Sequence, residues 1–348
     1  GAVGIINLSN GSISGGEADS NDHGTLDKNC GTLTDWTATA CYVISSGTGG
    51  GYSIANNGRG SLSFAVTAGG KTNQQVGEIY VISAGDFYIL QNSDQTTNSV
   101  WGGEALQQSG SFSNSTLNGK AIFYQSGFDC NGTNCTINVT NGTGTAGSNT
   151  IVAVFSANGS GSGSGTFYSS SSGSISTGSI SGATYSIDSN GRGLFTLPSA
   201  TTGCSSHCTQ LFYFAGTNRA FDLSDDNGVG SGALEPQTTS SFSTGTYAFG
   251  GIDPAVPSIG LNEGMATFTS GNVSGTNDNN DPQNGLKSGG AISGSYTVDG
   301  TGFGQVGPFG GTCTPTSGNC QFLFYVVSPN RAIGMSGSNS PEIQPADQ

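Results

Sequence analysis

Tyr185-Ser-Ile-Asp-Ser-Asn-Gly-Arg-Gly193, followed downstream by the apolar run Phe212-Tyr-Phe214, decides the fold because the pair occurs three times. The first element recurs as Tyr52-Ser-Ile54 leading to Gly58-Arg-Gly60, and as Tyr296-Thr-Val298 leading to Gly302-Phe-Gly304. The second recurs as Ile79-Tyr-Val-Ile82 and Phe324-Tyr-Val-Val327. Tyr52 and Tyr185 are 133 residues apart, as are Tyr80 and Tyr213; the next intervals are 111 for Tyr185–Tyr296 and 112 for Tyr213–Tyr325. Spacing held that closely marks an internal repeat. A closing tail follows each copy: Glu104–Gln108, Ala233–Gln237 and Glu342–Gln348. Short Ser/Thr linkers carrying Phe112 and Phe242 follow the first two tails. The boundaries predicted are 1–108, 109–237 and 238–348.

Gly and Asn accept positive φ, so the Gly-x-Gly segments read as hairpin turns between strands. In the third unit apolar or alternating runs begin at Tyr247, Met265, Ala291, Tyr296, Gly304, Phe322, Ala332 and Glu342, with the short Ala291 run open to merging with its neighbour. Eight antiparallel strands in such a length fit a small closed barrel or a two-sheet sandwich. The composition agrees: Gly is 60 of 348 residues, 9% are charged, and no heptad-patterned stretch suggests a long helix. The fold class expected is all-β, with three tandem antiparallel barrel or sandwich domains of about eight strands each.

The first unit departs from this plan. Units two and three each open with an apolar strand, Ala121–Tyr124 and Tyr247–Phe249, before a second one at Ile151–Phe155 and Met265–Phe268. Ile5-Ile-Asn-Leu8 matches that second strand, and Ser9-Asn-Gly11 matches Thr269-Ser-Gly271. The N-terminal unit is therefore expected to lack its first strand, leaving two open edges and an apolar slot beside Ile5, Ile6 and Leu8. A strand from another subunit would fill such a slot. Head-to-tail repetition of that contact gives an open filament where the rotation does not close. The competing expectation is a slot that closes on itself, or a first strand removed from upstream of Gly1.

Charge and chemistry narrow the function. A net charge of −14, with 8 scattered Lys and Arg, leaves no basic patch for nucleic acid or an anionic membrane, and no apolar run is long enough to span a bilayer. No signal peptide stands at Gly1, which fits a mature form if the chain is exported. Eight cysteines fall as four local pairs, Cys30/Cys41, Cys130/Cys135, Cys204/Cys208 and Cys313/Cys320. They read as disulfide staples of an oxidising compartment. Cys204, His207 and Cys208 supply three zinc-type ligands but no fourth. Two acidic Asn-rich segments, read as loops, offer oxygen donors to Ca²⁺: Asp19, Asn21 and Asp22, then Asp278, Asn280 and Asp281. Asx turns are the plainer explanation. Sequons at Asn7, Asn10, Asn114, Asn131, Asn134, Asn138, Asn141, Asn158 and Asn272 are candidate glycosylation sites. With His23 and His207 the only histidines, and no nucleophile elbow or paired acids, an enzyme is not expected.

The run Gly-x-Tyr-x-(Ile/Val)-Asp-x-x-Gly-x-Gly, the later Phe324-Tyr-Val-Val-Ser-Pro-Asn-Arg-Ala332, and an upstream Gly-x-x-Asp-x-Asn-Asp resemble a repeat family of secreted and surface proteins from environmental bacteria. The resemblance is clearest over 183–223 and 245–348. It implies tandem small β-barrels outside the cell and extracellular fibrils, and it supplies no catalytic residue. Asp86 departs from it, standing where the other repeats have Arg219 and Arg331. Those arginines are expected to orient a turn or to pair with a carboxylate. Two functions compete at this stage. One is a structural subunit of an extracellular, glycosylated homopolymer. The other is a monomeric surface adhesin or glycan-binding module, with Trp36 and Trp101 available to stack on sugars.

Overall fold

The structure, a computed structural model, describes residues 2–22, 25–26, 42–68, 70–92, 102–130, 137–138, 143–144, 146–171, 174–197, 209–224, 228–253, 260–281, 285–307, 322–336 and 342–348. The recurring motif is the same turn in all three repeats. Asp188 N–H donates to Arg192 O at 2.8 Å and Gly191 N–H to Asp188 O at 2.9 Å; Ala55 with Arg59 and Gly58, and Asp299 with Phe303 and Gly302, repeat both bonds. Gly58, Gly191 and Gly302 lie at φ 82°, 90° and 87°, where a β-carbon would be strained. Their carbonyls then accept the N–H groups of Val81, Phe214 and Val326 at 2.9, 2.8 and 2.9 Å. That last bond ties the turn to the second apolar motif and explains the constant spacing.

The first repeat contains β1 (Ala2–Ser9), β2 (Ser12–Asp22), β3 (Thr25–Leu26), β4 (Tyr42–Ser45), β5 (Gly51–Ile54), β6 (Arg59–Ala68), β7 (Lys71–Ser83), β8 (Asp86–Gln91) and β9 (Gly102–Leu106). They form one open sheet in the order β1-β2-β4-β6-β7-β8-β9, with β3 beside β2 and β5 beside β6. The second repeat contains β10 (Asn118–Cys130), the small pair β11 (Ile137–Asn138) and β12 (Thr143–Gly144), β13 (Ala146–Asn158), β14 (Ser162–Ser171), β15 (Ser174–Ile187), β16 (Arg192–Thr196), β17 (Thr209–Gly216), β18 (Arg219–Ser224) and β19 (Gly228–Pro236). The third contains β20 (Gly245–Asp253), β21 (Gly260–Thr269), β22 (Asn272–Asp281), β23 (Gly285–Val298), β24 (Phe303–Gly307), β25 (Phe322–Ser328), β26 (Arg331–Ser336) and β27 (Ile343–Asp347). Repeats two and three are closed eight-stranded barrels, which resolves the barrel-or-sandwich alternative.

The chain divides into two compact units, one holding repeat one and the other holding repeats two and three. Within the second unit each barrel has its own aromatic interior. Phe155, Phe195, Phe212 and Phe214 fill repeat two, while Tyr247, Phe268 and Phe324 fill repeat three. The linker phenylalanines enter these interiors from the side. Phe112 packs on the first, and Phe242 stacks on Tyr247 at 4.4 Å in the second. The outer faces of the two barrels then meet. Ile122, Val152 and Val154 pack with Leu323, Tyr325 and Ile333, and Tyr168 stacks on Phe303 at 4.2 Å. Arg331 joins Glu235 and Asp347 at 2.8 and 2.6 Å, the carboxylate role expected of that arginine. Burial pushes the Glu235 carboxyl up, but the Arg331 guanidinium and the Tyr124 hydroxyl outweigh it and hold the pKa below the usual range.

The third repeat has eight strands, though not the eight expected from sequence. The runs at Ala291 and Tyr296 belong to one strand, β23, while the Asn-rich segment 272–281 is the strand β22 rather than a loop. One split and one omission cancelled in the count. β22 was missed because Asn, Asp and Gly disfavour strands when read alone, whereas here barrel closure on both sides overrides propensity.

Opposite its aromatic end, the interior of repeat two is polar. The Gln125 amide donates to Gln210 Oε1 at 3.0 Å and to Asp222 Oδ2 at 2.7 Å, and Asp222 is fully buried. Burial pushes the Asp222 carboxyl well above the usual range, and the Gln125 bond offsets only part of this. Between the unfolded value of about 3.9 and the raised folded value, the native state holds a proton that the unfolded state releases. Asp222 therefore makes stability fall as pH rises. Asp222→Asn is expected to flatten that slope, gaining on the native chain as the pH rises above about 4. Urea midpoints against pH check this, and parallel curves would refute it.

Tyr247 anchors the first strand of repeat three. It is fully buried, its single hydroxyl proton is shared between Ser243 O at 2.9 Å and Pro329 O at 3.0 Å, and burial pushes its pKa to about 12. Tyr247→Ala should cost about 3–5 kcal/mol by denaturant unfolding. Tyr247→Phe should cost about 1 kcal/mol, the net value of the lost hydrogen bonds.

Candidate assembly site

What closes each complete barrel is its first strand. β10 pairs with β13 over Asn118–Cys130 and with β19 over Ala121–Asp129, so both of its edges are used. β20 likewise lies between β21 and β27. Its inward residues, Tyr247 and Phe249, belong to the third interior. In repeat one, β1 occupies the place of β13 and β21, and β9 that of β19 and β27. Among the described residues no strand lies between β1 and β9, as the sequence predicted.

The consequence for packing is direct. Among the described residues, Ile13, Ile44, Leu62 and Ile79 form the buried cluster of repeat one. Ile6 and Leu8 on β1, and Phe87 and Ile89 on β8, pack against that cluster but remain half-buried. Of the three predicted interface residues, Ile6 and Leu8 therefore point toward the interior. Ile5, between them and Gly4, is half-buried on the opposite parity. Among the described residues β1 and β9 are thus the two terminal strands of an open sheet, over a half-buried apolar floor.

The other predicted sites fare differently. Asp19, Asn21 and Asp22 lie on β2, and Asp278, Asn280 and Asp281 on β22, so neither set forms the loop expected. Asp19 is buried, and Asp278 Oδ1 accepts the Gly289 N–H at 2.7 Å. Among the described residues no group of three or more His, Cys, Asp or Glu is placed to hold a metal ion. Cys130 ends β10; Cys30, Cys41, Cys135, Cys204, Cys208, Cys313 and Cys320 lie outside the described residues, as do His23, His207, Trp36 and Trp101.

Of the sequons, Asn7, Asn10, Asn158 and Asn272 are exposed. Asn10 holds a left-handed turn position at φ 48°. Two are engaged structurally: Asn114 Oδ1 accepts the Ile187 N–H at 2.8 Å, and Asn158 Oδ1 accepts those of Ser160 and Ser162 at 2.9 and 3.1 Å. Asn138 lies on β11, and Asn131, Asn134 and Asn141 lie outside the described residues.

One feature escaped the sequence reading. The third barrel holds a half-open cavity of about 310 Å³ whose walls include Phe249, Phe268 and Phe322 as well as Asn262, Asn277 and Glu342. Asn262 donates to Glu342 Oε1 at 3.0 Å, and Asn277 donates to Asn262 Oδ1 at 3.2 Å. Only closure of the barrel brings these residues together, so no local motif announces the cavity. No protein-family model, curated protein or solved structure matches this chain.

Proposed function

We propose that this chain is a structural subunit of an extracellular filament, polymerising head-to-tail by adding a β-strand from another copy to its first repeat. The observation that carries the proposal is the slot between β1 and β9 in a chain whose two other repeats fill the same position with β10 and β20. Unpaired strand edges recruit further strands. A donated strand would gain two ladders of main-chain hydrogen bonds, with pockets for alternate side chains over Ile6, Leu8, Phe87 and Ile89. Its role is structural rather than catalytic. Exposed Asn7, Asn10, Asn158 and Asn272 are where N-linked glycans would sit on a secreted form.

A second function, a monomeric adhesin binding a small ligand or glycan, rests on the cavity of the third barrel, whose size reaches the lower range of ligand pockets. Negative-stain electron microscopy separates the two. Regular fibres are expected from purified protein. A peptide with the sequence of Lys120–Phe128, the first strand of repeat two, should compete for the slot and shorten or abolish them. Monodisperse particles at every concentration would overturn the filament and leave the adhesin. Removing divalent cations with EDTA in the same preparation tests whether calcium contributes.

A further inference from the structure

The junction between the second and third barrels shows which surface a preceding barrel covers. From β19, Gln237 donates to Thr301 O at 3.0 Å and Val326 O at 2.9 Å; Thr238 N–H donates to Val327 O and Ser243 N–H to Pro329 O. This linker delivers β20, the closing strand of barrel three. The barrel it leaves covers the outer face of β25 and β26, so Leu323, Tyr325, Ile333 and Met335 are fully buried. Strand delivery and face coverage come from the same body.

Repeat one carries the same face uncovered. The turn bond places Tyr80 where repeat three has Tyr325, and the paired registers place Ile82, Tyr88 and Leu90 where it has Val327, Ile333 and Met335. Tyr80, Ile82, Tyr88 and Leu90 are 47, 58, 52 and 51% exposed. Among the described residues, repeat three in turn carries the covering face exposed at Met265. Met265 pairs with Thr276 as Val154 pairs with Thr166, and Met265 is 58% exposed. In the internal junction the Tyr325 and Thr166 hydroxyls meet at 3.1 Å; their counterparts are Tyr80 and Thr276. Tyr168, stacked on Phe303, has Asp278 as its counterpart, because Val152 pairs with Tyr168 as Glu263 pairs with Asp278. Phe303, paired with Tyr325, has Arg59 as its counterpart, paired with Tyr80. The two positions of the aromatic stack thus carry opposite charges, Arg59 in repeat one and Asp278 in repeat three, and Arg59 reaches Glu78 of its own repeat at 3.1 Å.

We propose that the β7–β8 face of repeat one docks the β21–β22 face of repeat three from a second copy, in the geometry of the internal junction, with Tyr80 on Met265 and Thr276 and Arg59 on Asp278. This deepens the filament proposal and rests on it for the identity of the donor, but the contact itself does not require an inserted strand.

The test uses the full chain with p-benzoylphenylalanine in place of Tyr80, mixed from heavy-nitrogen and light-nitrogen copies, with and without the slot-filling peptide. Photolysis is expected to give mixed-isotope cross-links to the Met265 and Thr276 strands. Arg59→Glu or Asp278→Arg should lower their yield on the order of tenfold, and the two together should restore it. Unchanged melting of the single variants excludes misfolding as the cause. Absent cross-links, links elsewhere, or no rescue would overturn the docking. Cross-links that persist where microscopy finds no fibres would sustain the docking while removing the strand-addition proposal.

Discussion

A β-sheet is stable only where its edge N–H and C=O groups find partners, and this chain meets that requirement by closing its sheets. In repeats two and three the closing piece is one strand, delivered by a linker and locked by an inward aromatic or apolar face. The interiors depend on that closure. Ala121 is fully buried because β10 is in place, and Tyr247 because β20 is. Among the described residues of repeat one no strand lies between β1 and β9, and the buried cluster is four aliphatic side chains. The chain thus holds two closed barrels and one open sheet.

The turn hydrogen bonds set everything else in register. A glycine at positive φ ends one strand, and its carbonyl holds a backbone N–H of the second apolar motif. Because that bond is made of backbone alone, side chains around it can change. The same scaffold carries Tyr325 and Phe303 at a buried junction in one repeat, and Tyr80 and Arg59 at an exposed face in another. Arg331 and Asp86 illustrate it: one position, an ion-paired arginine in the third repeat and an acid in the first.

The architecture was readable because tyrosines and glycines recur at fixed intervals, and the lacking strand because Ile5–Leu8 aligns with a second strand rather than a first. β22 was not readable. Its Asn and Asp residues suggested a cation loop, and only the neighbours β21 and β23 make it a strand. The polar group of Gln125, Gln210 and Asp222, and the cavity of barrel three, were equally hidden. Each gathers residues from strands far apart in sequence, and such gatherings carry no local pattern.

The central claim is that the position between β1 and β9 is filled by a strand from another copy. A cryo-electron microscopy reconstruction of assembled material, with side chains resolved, tests it most directly. The account predicts a strand hydrogen-bonded to both β1 and β9 that traces to a neighbouring subunit, with its inward side chains over Ile6, Leu8, Phe87 and Ile89. A strand traced to the same copy, or β1 paired directly with β9, would contradict it.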